Sequence, residues 1–141
     1  MRRITWLLLC LTCSARAMSQ QADWSIYTGT DTLARGSFPA RSAARIQGNM
    51  LGDSAWFQLT VKESRIAWRT RLVLTDSTER RLWSEDRNGS GRWLLLAEQI
   101  AGWLDSSKLV RLYLEFHPAD PAISLRSQRS LLAFFTLNRD P

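Results

Sequence analysis

The side chains that most often carry catalysis or bind metals are scarce in this sequence. It contains one histidine, His117, and two cysteines, Cys10 and Cys13, which lie in a segment that we predict below to be removed. Without cysteines or a second histidine, the usual zinc sites cannot be built. His117 precedes Pro118, which is typical of a solvated loop residue, and an acid–base role is the less favoured alternative. Serine hydrolase and phosphate-binding motifs are missing too. We therefore expect no metal, no cofactor and no catalytic residue.

Paired carboxylates are the remaining route to catalysis, because a glycosidase needs only two, about 5 to 10 Å apart. Glu85 and Asp86 are adjacent, but neighbours on a strand point to opposite faces and cannot flank one bond. More distant carboxylates could meet only through the fold, so a small glycan-active hydrolase is the alternative function. Its candidate residues are Asp53, Glu63, Glu85, Glu98 and Glu115.

Tryptophan and arginine are frequent in the chain, which has seven tryptophans. Trp68 and Trp103 follow the period of the apolar residues around them, and we expect both in the core. Trp56 instead directly precedes Phe57, which lies on the apolar face of its strand. Because successive strand side chains point to opposite faces, we expect Trp56 on the surface. Because tryptophan and arginine are enriched at binding hot spots, we predict a binding surface. Its predicted residues are Trp56, Arg69, Arg71, Trp83 and Trp93.

The first seventeen residues have the three parts of a cleavable secretion signal. Arg2 and Arg3 are followed by an apolar run, Ile4–Cys13, and then by Ala15-Arg16-Ala17. About ten apolar residues at 1.5 Å each cover only about half of a roughly 30 Å hydrocarbon core, which argues against a permanent anchor. We predict cleavage after Ala17, and a periplasmic or secreted product of the bacterial envelope.

Lipid attachment at Cys13 is not favoured, because the bulky Leu11 stands where a lipobox has a small residue. Removal of the signal therefore removes both cysteines and predicts a disulfide-free domain. The formal net charge of +6 falls to +3 when Arg2, Arg3 and Arg16 are removed. This modest excess permits contact with acidic partners but falls short of the basic stripe of a nucleic-acid-binding protein. No transmembrane helix is expected after processing.

The mature chain has two differently patterned parts. Residues 18–54 are rich in glycine, serine, alanine and arginine, with one apolar alternation at Trp24–Tyr27 that could form an edge strand. Turn-forming residues and isolated arginines over Ala34–Asp53 predict a long surface loop or a partly ordered arm. Residues 55–141 are patterned throughout and are predicted to form the antiparallel β domain.

From Trp56 onwards the hydrophobic period is two. Trp56–Lys62 and Ile66–Leu74 read as two antiparallel strands that form a hairpin. Arg80–Asp86 and Trp93–Ala97 would follow, joined by a turn at Asn88-Gly89 that tolerates positive φ. A four-strand meander results, with the tryptophans on either side of this turn paired across it.

The last part of the chain contains one helix and further strands. Apolar residues recur at three- and four-residue steps over Ala97–Leu104, which predicts a short helix. Val110–Phe116 is the clearest strand, and the prolines in His117–Pro121 indicate a loop. Ala122–Arg126 reads as a short strand, and Ser130–Leu137 as a strand that closes the sheet.

Taken together, these patterns predict a mainly β fold: a small antiparallel β-sandwich or half-barrel of about seven strands with one short helix. Residues 18–141 are expected to form one compact domain. The favoured function is that of an exported, non-catalytic envelope protein of accessory, inhibitor or immunity type. It would bind a protein partner or an acidic glycan, and not nucleic acid, through an aromatic and arginine surface.

Overall fold

A computed structural model of the protein describes residues 20–64 and 66–137, so the predicted signal and its cleavage site at Ala17 lie outside the described residues. Nine strands, one α-helix and a short 3-10 helix (Gly48–Leu51) follow one another along the described chain. The helix is α1 (Ala97–Ser107). The strands are β1 (Ala22–Thr28), β2 (Asp31–Phe38), β3 (Ala44–Gln47), β4 (Ala55–Val61), β5 (Trp68–Thr75), β6 (Arg81–Asn88), β7 (Gly91–Leu95), β8 (Leu109–Pro118) and β9 (Gln128–Thr136).

The strands form two sheets. The four-stranded sheet has the order β2-β1-β4-β7, and all its neighbouring strands are antiparallel. The five-stranded sheet has the order β3-β9-β8-β5-β6, in which only β3 and β9 are parallel. Buried residues from both sheets and from α1 form one hydrophobic cluster. The predicted mainly β, two-layer fold with one short helix is therefore confirmed.

Aromatic rings form much of the core between the sheets. Phe57 of β4 stacks with Trp24 at 6.1 Å between ring centroids and meets Trp93 edge-on at 5.7 Å. On the other sheet Trp68 meets Phe116 edge-on at 6.5 Å, so its predicted core position is correct. Trp103, which was also predicted in the core, packs against it but is only partly buried. The described residues contain no cysteine. Apolar packing and the strand ladders therefore hold these two layers together.

The predicted hairpin of β4 and β5 is wrong. β4 pairs with β1 and β7 in the four-stranded sheet, whereas β5 pairs with β6 and β8 in the five-stranded sheet. The chain between Val61 and Trp68 therefore crosses from one sheet to the other. Both strands bury one face, as their alternation predicted, but alternation does not specify which strand lies alongside.

The predicted four-strand meander is also wrong at Asn88-Gly89. Gly89 has a positive φ of 69°, as expected, but the turn carries the chain from β6 in one sheet to β7 in the other. β5 and β6 do form a hairpin, through a turn at residues 76–80. Trp83 and Trp93 consequently lie in different sheets and are not the predicted cross-strand pair.

Three strands occupy the region that the sequence predicted to be an arm or loop. β1 is an interior strand between β2 and β4 and not an edge strand. Only Phe38 is buried in β2, and only Ile46 in β3. These strands lack the alternation of a half-buried strand because few of their side chains enter the core. Their backbone pairing with β1 and β9 holds them in place.

The C-terminal elements follow the prediction more closely. α1 begins where predicted, at Ala97, but ends three residues later, and Lys108 terminates it with a left-handed φ of 64°. β9 confirms the strand predicted near the C-terminus, but it does not close the sheet, because β3 pairs with its other side. No strand forms over 122–126, and β8 extends to Pro118, which places His117 on the sheet. In the described ranges, no helix is long and apolar enough to span a bilayer.

Candidate binding surface

The structure separates the five residues predicted to form the binding surface. Trp93 is fully buried in the core, with an exposed fraction of 0%. Trp56 is partly exposed on the outer face of the four-stranded sheet. Arg69 and Arg71 lie on the outer face of the five-stranded sheet, on the opposite side of the molecule. Trp83 is partly buried in the edge strand β6. Trp56 and the two arginines therefore cannot form a common patch.

The arginine beside Trp56 is Arg92. Its guanidinium carbon lies 4.9 Å from the centroid of the Trp56 ring and 5.5 Å from that of Tyr27. The strand register explains this placement, because Tyr27 of β1 is directly opposite Trp56 and Leu94 of β7 is opposite Trp56 on its other side. We call these four residues the aromatic–arginine patch: Tyr27, Trp56, Arg92 and Leu94.

A shallow apolar cleft, with no room for a water molecule, adjoins this patch where β7 runs into α1. Leu94 lines it together with Trp83 of β6, Trp103 of α1 and Leu96. Leu94 and Leu96 are 40% and 38% exposed, which places them among the most exposed large apolar side chains of the described residues. Contiguous exposed apolar surface on a soluble domain often marks an interaction site.

A sequence signal for this surface does exist. Trp93–Leu96 are four consecutive apolar residues at the end of a strand. Because successive strand side chains point to opposite faces, such a run must place some of its leucines outside the core. No sequence signal points to Arg92 in the same way. It lies near Trp56 only because β7 pairs with β4, and the two residues are 36 positions apart in the chain.

Arg71 is engaged in an ion-pair network on the opposite face. Its Nε and Nη2 atoms donate to the two Asp86 carboxylate oxygens at 2.7 and 3.1 Å. This paired hydrogen bond raises the pKa of Arg71 and lowers the pKa of Asp86. Glu115 lies 3.9 Å from Arg71 Nη1. Arg71 is thus satisfied within the protein, and Arg69 is the more exposed of the two predicted arginines.

His117 takes part in the same network and is not the solvated loop residue that we expected. Its Nε2 lies 2.9 Å from Glu115 Oε2, and its Nδ1 lies 2.6 Å from Ser127 Oγ. A serine–imidazole–carboxylate chain can activate a serine nucleophile. Here the Glu115 carboxylate also lies 3.4 Å from Arg129 and near Arg71, so it is shared among these side chains and is not dedicated to the imidazole. The bonds join the end of β8 to the segment before β9.

The candidate carboxylates of the alternative function lie on separate elements. Glu85 pairs with Arg87 within β6 at 3.2 Å, and Glu115 belongs to the network just described. The remaining three lie in the segment before β4, in the segment after β4 and in the first turn of α1: Asp53, Glu63 and Glu98. None of the five lines the apolar cleft or the grooves beside β2 that are described below.

Comparison with known proteins gives no family for this chain: no protein-family model matches it, and no curated protein is significantly similar in sequence. Among the described residues, no group of three or more histidine, cysteine, aspartate and glutamate side chains is placed to hold a metal ion. The arguments for function therefore rest on the two sheets and their surfaces.

Proposed function

We propose that this protein is a non-catalytic binding protein of the cell envelope, and that it recognises a protein partner through the surface around Leu94. One observation carries the proposal. The three described tryptophans that are partly exposed all border Leu94. Trp56 is opposite it in the sheet, and Trp83 and Trp103 line the apolar cleft with it. The other described tryptophans are buried.

The composition of this surface supports a protein interface. Tryptophan, tyrosine and arginine are the residues most enriched at interface hot spots, and the aromatic–arginine patch contains all three. Leu94 and Leu96 add exposed apolar area at its centre. A hydrophobic centre beside a polar rim is the usual anatomy of an interface, and here Gln58 and Gln99 lie at its margin.

A protein partner is favoured over an acidic glycan because of Arg92. Sugar rings bind by stacking on an open aromatic face. The Arg92 guanidinium already lies over the Trp56 ring at 4.9 Å and near the Tyr27 ring at 5.5 Å. A sugar would have to displace this cation, whereas a protein surface can bury the stacked arginine and ring together. An accessory, inhibitor or immunity protein would use such a surface.

The location of the proposed partner follows from the N-terminal sequence. Arg2 and Arg3, the apolar run Ile4–Cys13 and Ala15-Arg16-Ala17 support export and cleavage after Ala17. The partner is therefore expected in the periplasm or outside the cell. N-terminal sequencing of the protein from fractionated cells tests this premise, and a mature form that begins at Met1 would contradict it.

A position-specific crosslinking experiment tests the binding surface. A photo-crosslinking amino acid replaces Leu94 in the full chain, and Ser124, which is exposed in the loop before β9, serves as the control position. We expect a discrete crosslinked partner from position 94 only. That partner is then purified, and its Kd is measured with the wild-type protein and with Arg92→Ala, Leu94→Ala and Arg69→Ala.

The expected losses of binding affinity differ between the variants. Loss of a hot-spot side chain costs about 2 kcal/mol or more, so Arg92→Ala and Leu94→Ala should each weaken binding by about 30-fold. Arg69→Ala, an exposed arginine on the other sheet, should leave the Kd within about twofold. Equal crosslinking at both positions, or wild-type affinity in both patch variants, would refute the proposed surface. If the protein binds an acidic glycan and Arg92→Ala abolishes that binding, the ligand of this surface is the glycan and not a protein.

A further inference from the structure

The four edge strands of the two sheets differ in how well they are protected from further pairing. β3 and β7 have only four and five residues. β6 has eight residues, and half of them are charged. β2 also has eight residues, but only two of them are charged, Asp31 and Arg35. Long edges with few charges are the ones that accept another strand.

β2 has no strand paired along its outer side, although a bulge at Leu33 interrupts its ladder with β1 and the segment 39–44 lies beside Arg35–Ser37. It pairs with β1 on one side, and no other described strand pairs with its second side. Its residues are mostly exposed, and only Phe38 is buried. The free side therefore presents a row of backbone donors and acceptors to solvent, which is the requirement for strand addition.

Three grooves lie near the C-terminal half of β2. One groove, of about 280 Å³, lies between Arg35–Ser37 of β2 and the segment 39–44. Another, of about 470 Å³, lies on the outer face of the sheet, where Arg35 and Ser37 share its walls with Ser25 of β1 and Thr60 of β4. A third, of about 440 Å³, lies at the end of the sheet, between Ser37–Arg41 and Lys62, the residue that follows β4. Of these three grooves, the one between Arg35–Ser37 and the segment 39–44 lies on the unpaired side of β2, where an added strand would lie.

The charge along these grooves is positive. Arg35, Arg41 and Lys62 line them, and among the described residues none of these three forms a salt bridge. Asp23 is the acidic residue in the walls of the largest groove. Most arginines of the opposite sheet are instead paired with carboxylates. Unpaired cations in the walls of these grooves favour an acidic ligand.

We propose that the edge of β2 binds an extended acidic peptide, which adds to the four-stranded sheet as a fifth strand. This site is separate from the surface around Leu94, because β2 and β7 are the opposite edges of that sheet. An acidic peptide is favoured over an acidic glycan because only a peptide supplies both the amide ladder for β2 and the carboxylates for Arg35 and Arg41. Strand addition gives affinity through the main chain, and the arginines select the side chains.

The test uses a fluorescein-labelled nine-residue peptide that alternates threonine and glutamate, and fluorescence anisotropy gives its Kd. Two control peptides keep its length. One replaces glutamate by lysine, and the other carries N-methyl groups on alternate amides, which removes the ladder donors. The protein variants are Arg35→Glu and Arg41→Glu, and Arg126→Glu, an exposed arginine outside the grooves, is the matched control.

We expect the glutamate peptide to bind, and the lysine and N-methylated peptides to bind at least about tenfold more weakly. Arg35→Glu and Arg41→Glu should each raise the Kd at least about tenfold, whereas Arg126→Glu should leave it within about twofold. Hydrogen exchange should slow at the amides of β2 when the peptide is present.

Several outcomes would overturn the proposal. An N-methylated peptide that binds as well as its parent would show that the site recognises charge without strand addition. An oligogalacturonate that binds as tightly as the peptide would identify an anionic glycan as the ligand. Unchanged affinity in both groove variants, with circular dichroism showing a native fold, would place the peptide elsewhere.

Discussion

Trp93 gives the sharpest test of the distinction between core and surface tryptophans. The sequence placed it on the binding surface, whereas the structure buries it completely between the sheets. It meets Phe57 edge-on at 5.7 Å, and the Arg87 guanidinium lies 5.0 Å from its ring centroid. Trp93→Ala should therefore destabilise the whole domain and not merely weaken a contact with a ligand.

The size of this effect follows from the buried area. A buried tryptophan removes about 150–250 Å² from water, which at about 25 cal/mol per Å² corresponds to about 4–6 kcal/mol. The indole N–H has no hydrogen-bond partner in the core, so its removal returns part of this loss. The net cost of Trp93→Ala should then be about 3–5 kcal/mol, the usual range for such truncations. Trp93→Phe keeps an aromatic ring against Phe57 and should cost less than about 2 kcal/mol.

Urea unfolding followed by far-ultraviolet circular dichroism measures both free energies without relying on tryptophan emission. It is best done near 15 °C, since a loss of about 3–5 kcal/mol is a large part of the roughly 5–15 kcal/mol of a typical domain. If Trp93→Ala is too unstable to fold, the intermediate value for Trp93→Phe still tests the ranking. A free energy of unfolding for Trp93→Ala within about 1 kcal/mol of the wild type would refute the buried position.

Three further variants test local features of the fold. Asp76 accepts bonds from the Thr78 hydroxyl and from the Thr78 and Arg80 amides in the β5–β6 turn, and these bonds, the hydroxyl first, lower its pKa. The carboxylate therefore stabilises the fold above its unfolded pKa of about 4, and this contribution is lost as the pH falls through the folded pKa. Asp76→Asn should lower the Tm at pH 7 and flatten its decline in acid; parallel Tm profiles would contradict this. Lys108→Gly should add about 1 kcal/mol to the free energy of unfolding by relieving the left-handed backbone at the end of α1, and no gain over Lys108→Ala would contradict it. Gly48→Ala would place a Cβ 2.6 Å from Leu104 Cδ1 and should cost about 1–3 kcal/mol in the same urea assay, whereas wild-type stability would show that the leucine moves freely.

The sequence predicted the individual elements of the C-terminal two thirds well, because their signals are local. The alternation in β4 and β5 and the three- and four-residue steps in α1 follow from which side chains enter the core. The pairing of these strands could not be predicted in the same way. A buried face fixes the orientation of a strand, but its neighbour is decided by contacts between residues that are distant in the chain.

Edge strands escaped prediction for a related reason. β2 and β3 each bury one side chain, Phe38 and Ile46, so neither shows the alternation of a half-buried strand. Their stability comes from backbone hydrogen bonds with β1 and β9, which almost any sequence can make. A weakly patterned segment can therefore be an ordered edge. In this protein, that edge is the one with the basic grooves.

The sequence predicts those features of the candidate site that depend on alternation along a single strand. Trp56 lies on the outer face of its strand, as predicted from its position next to Phe57, which faces the core. The arginines could not be assigned to it from the sequence, because every exposed strand arginine has the same local pattern. Only the pairing of β4 with β7 places Arg92 beside Trp56, and only the separation of the sheets excludes Arg69 and Arg71.

The tryptophans that made the composition unusual thus divide into two groups with different physical consequences. Trp24, Trp68 and Trp93 are buried and supply core area in a domain whose described residues contain no cysteine. Trp56, Trp83 and Trp103 keep part of their surface in water, where burial would be favourable by about 25 cal/mol per Å² if a partner covered them. Because all three border Leu94, one partner could cover them together, and the gain in free energy would be concentrated at one edge of the sandwich. That concentration favours a dedicated interface over scattered exposed aromatic residues.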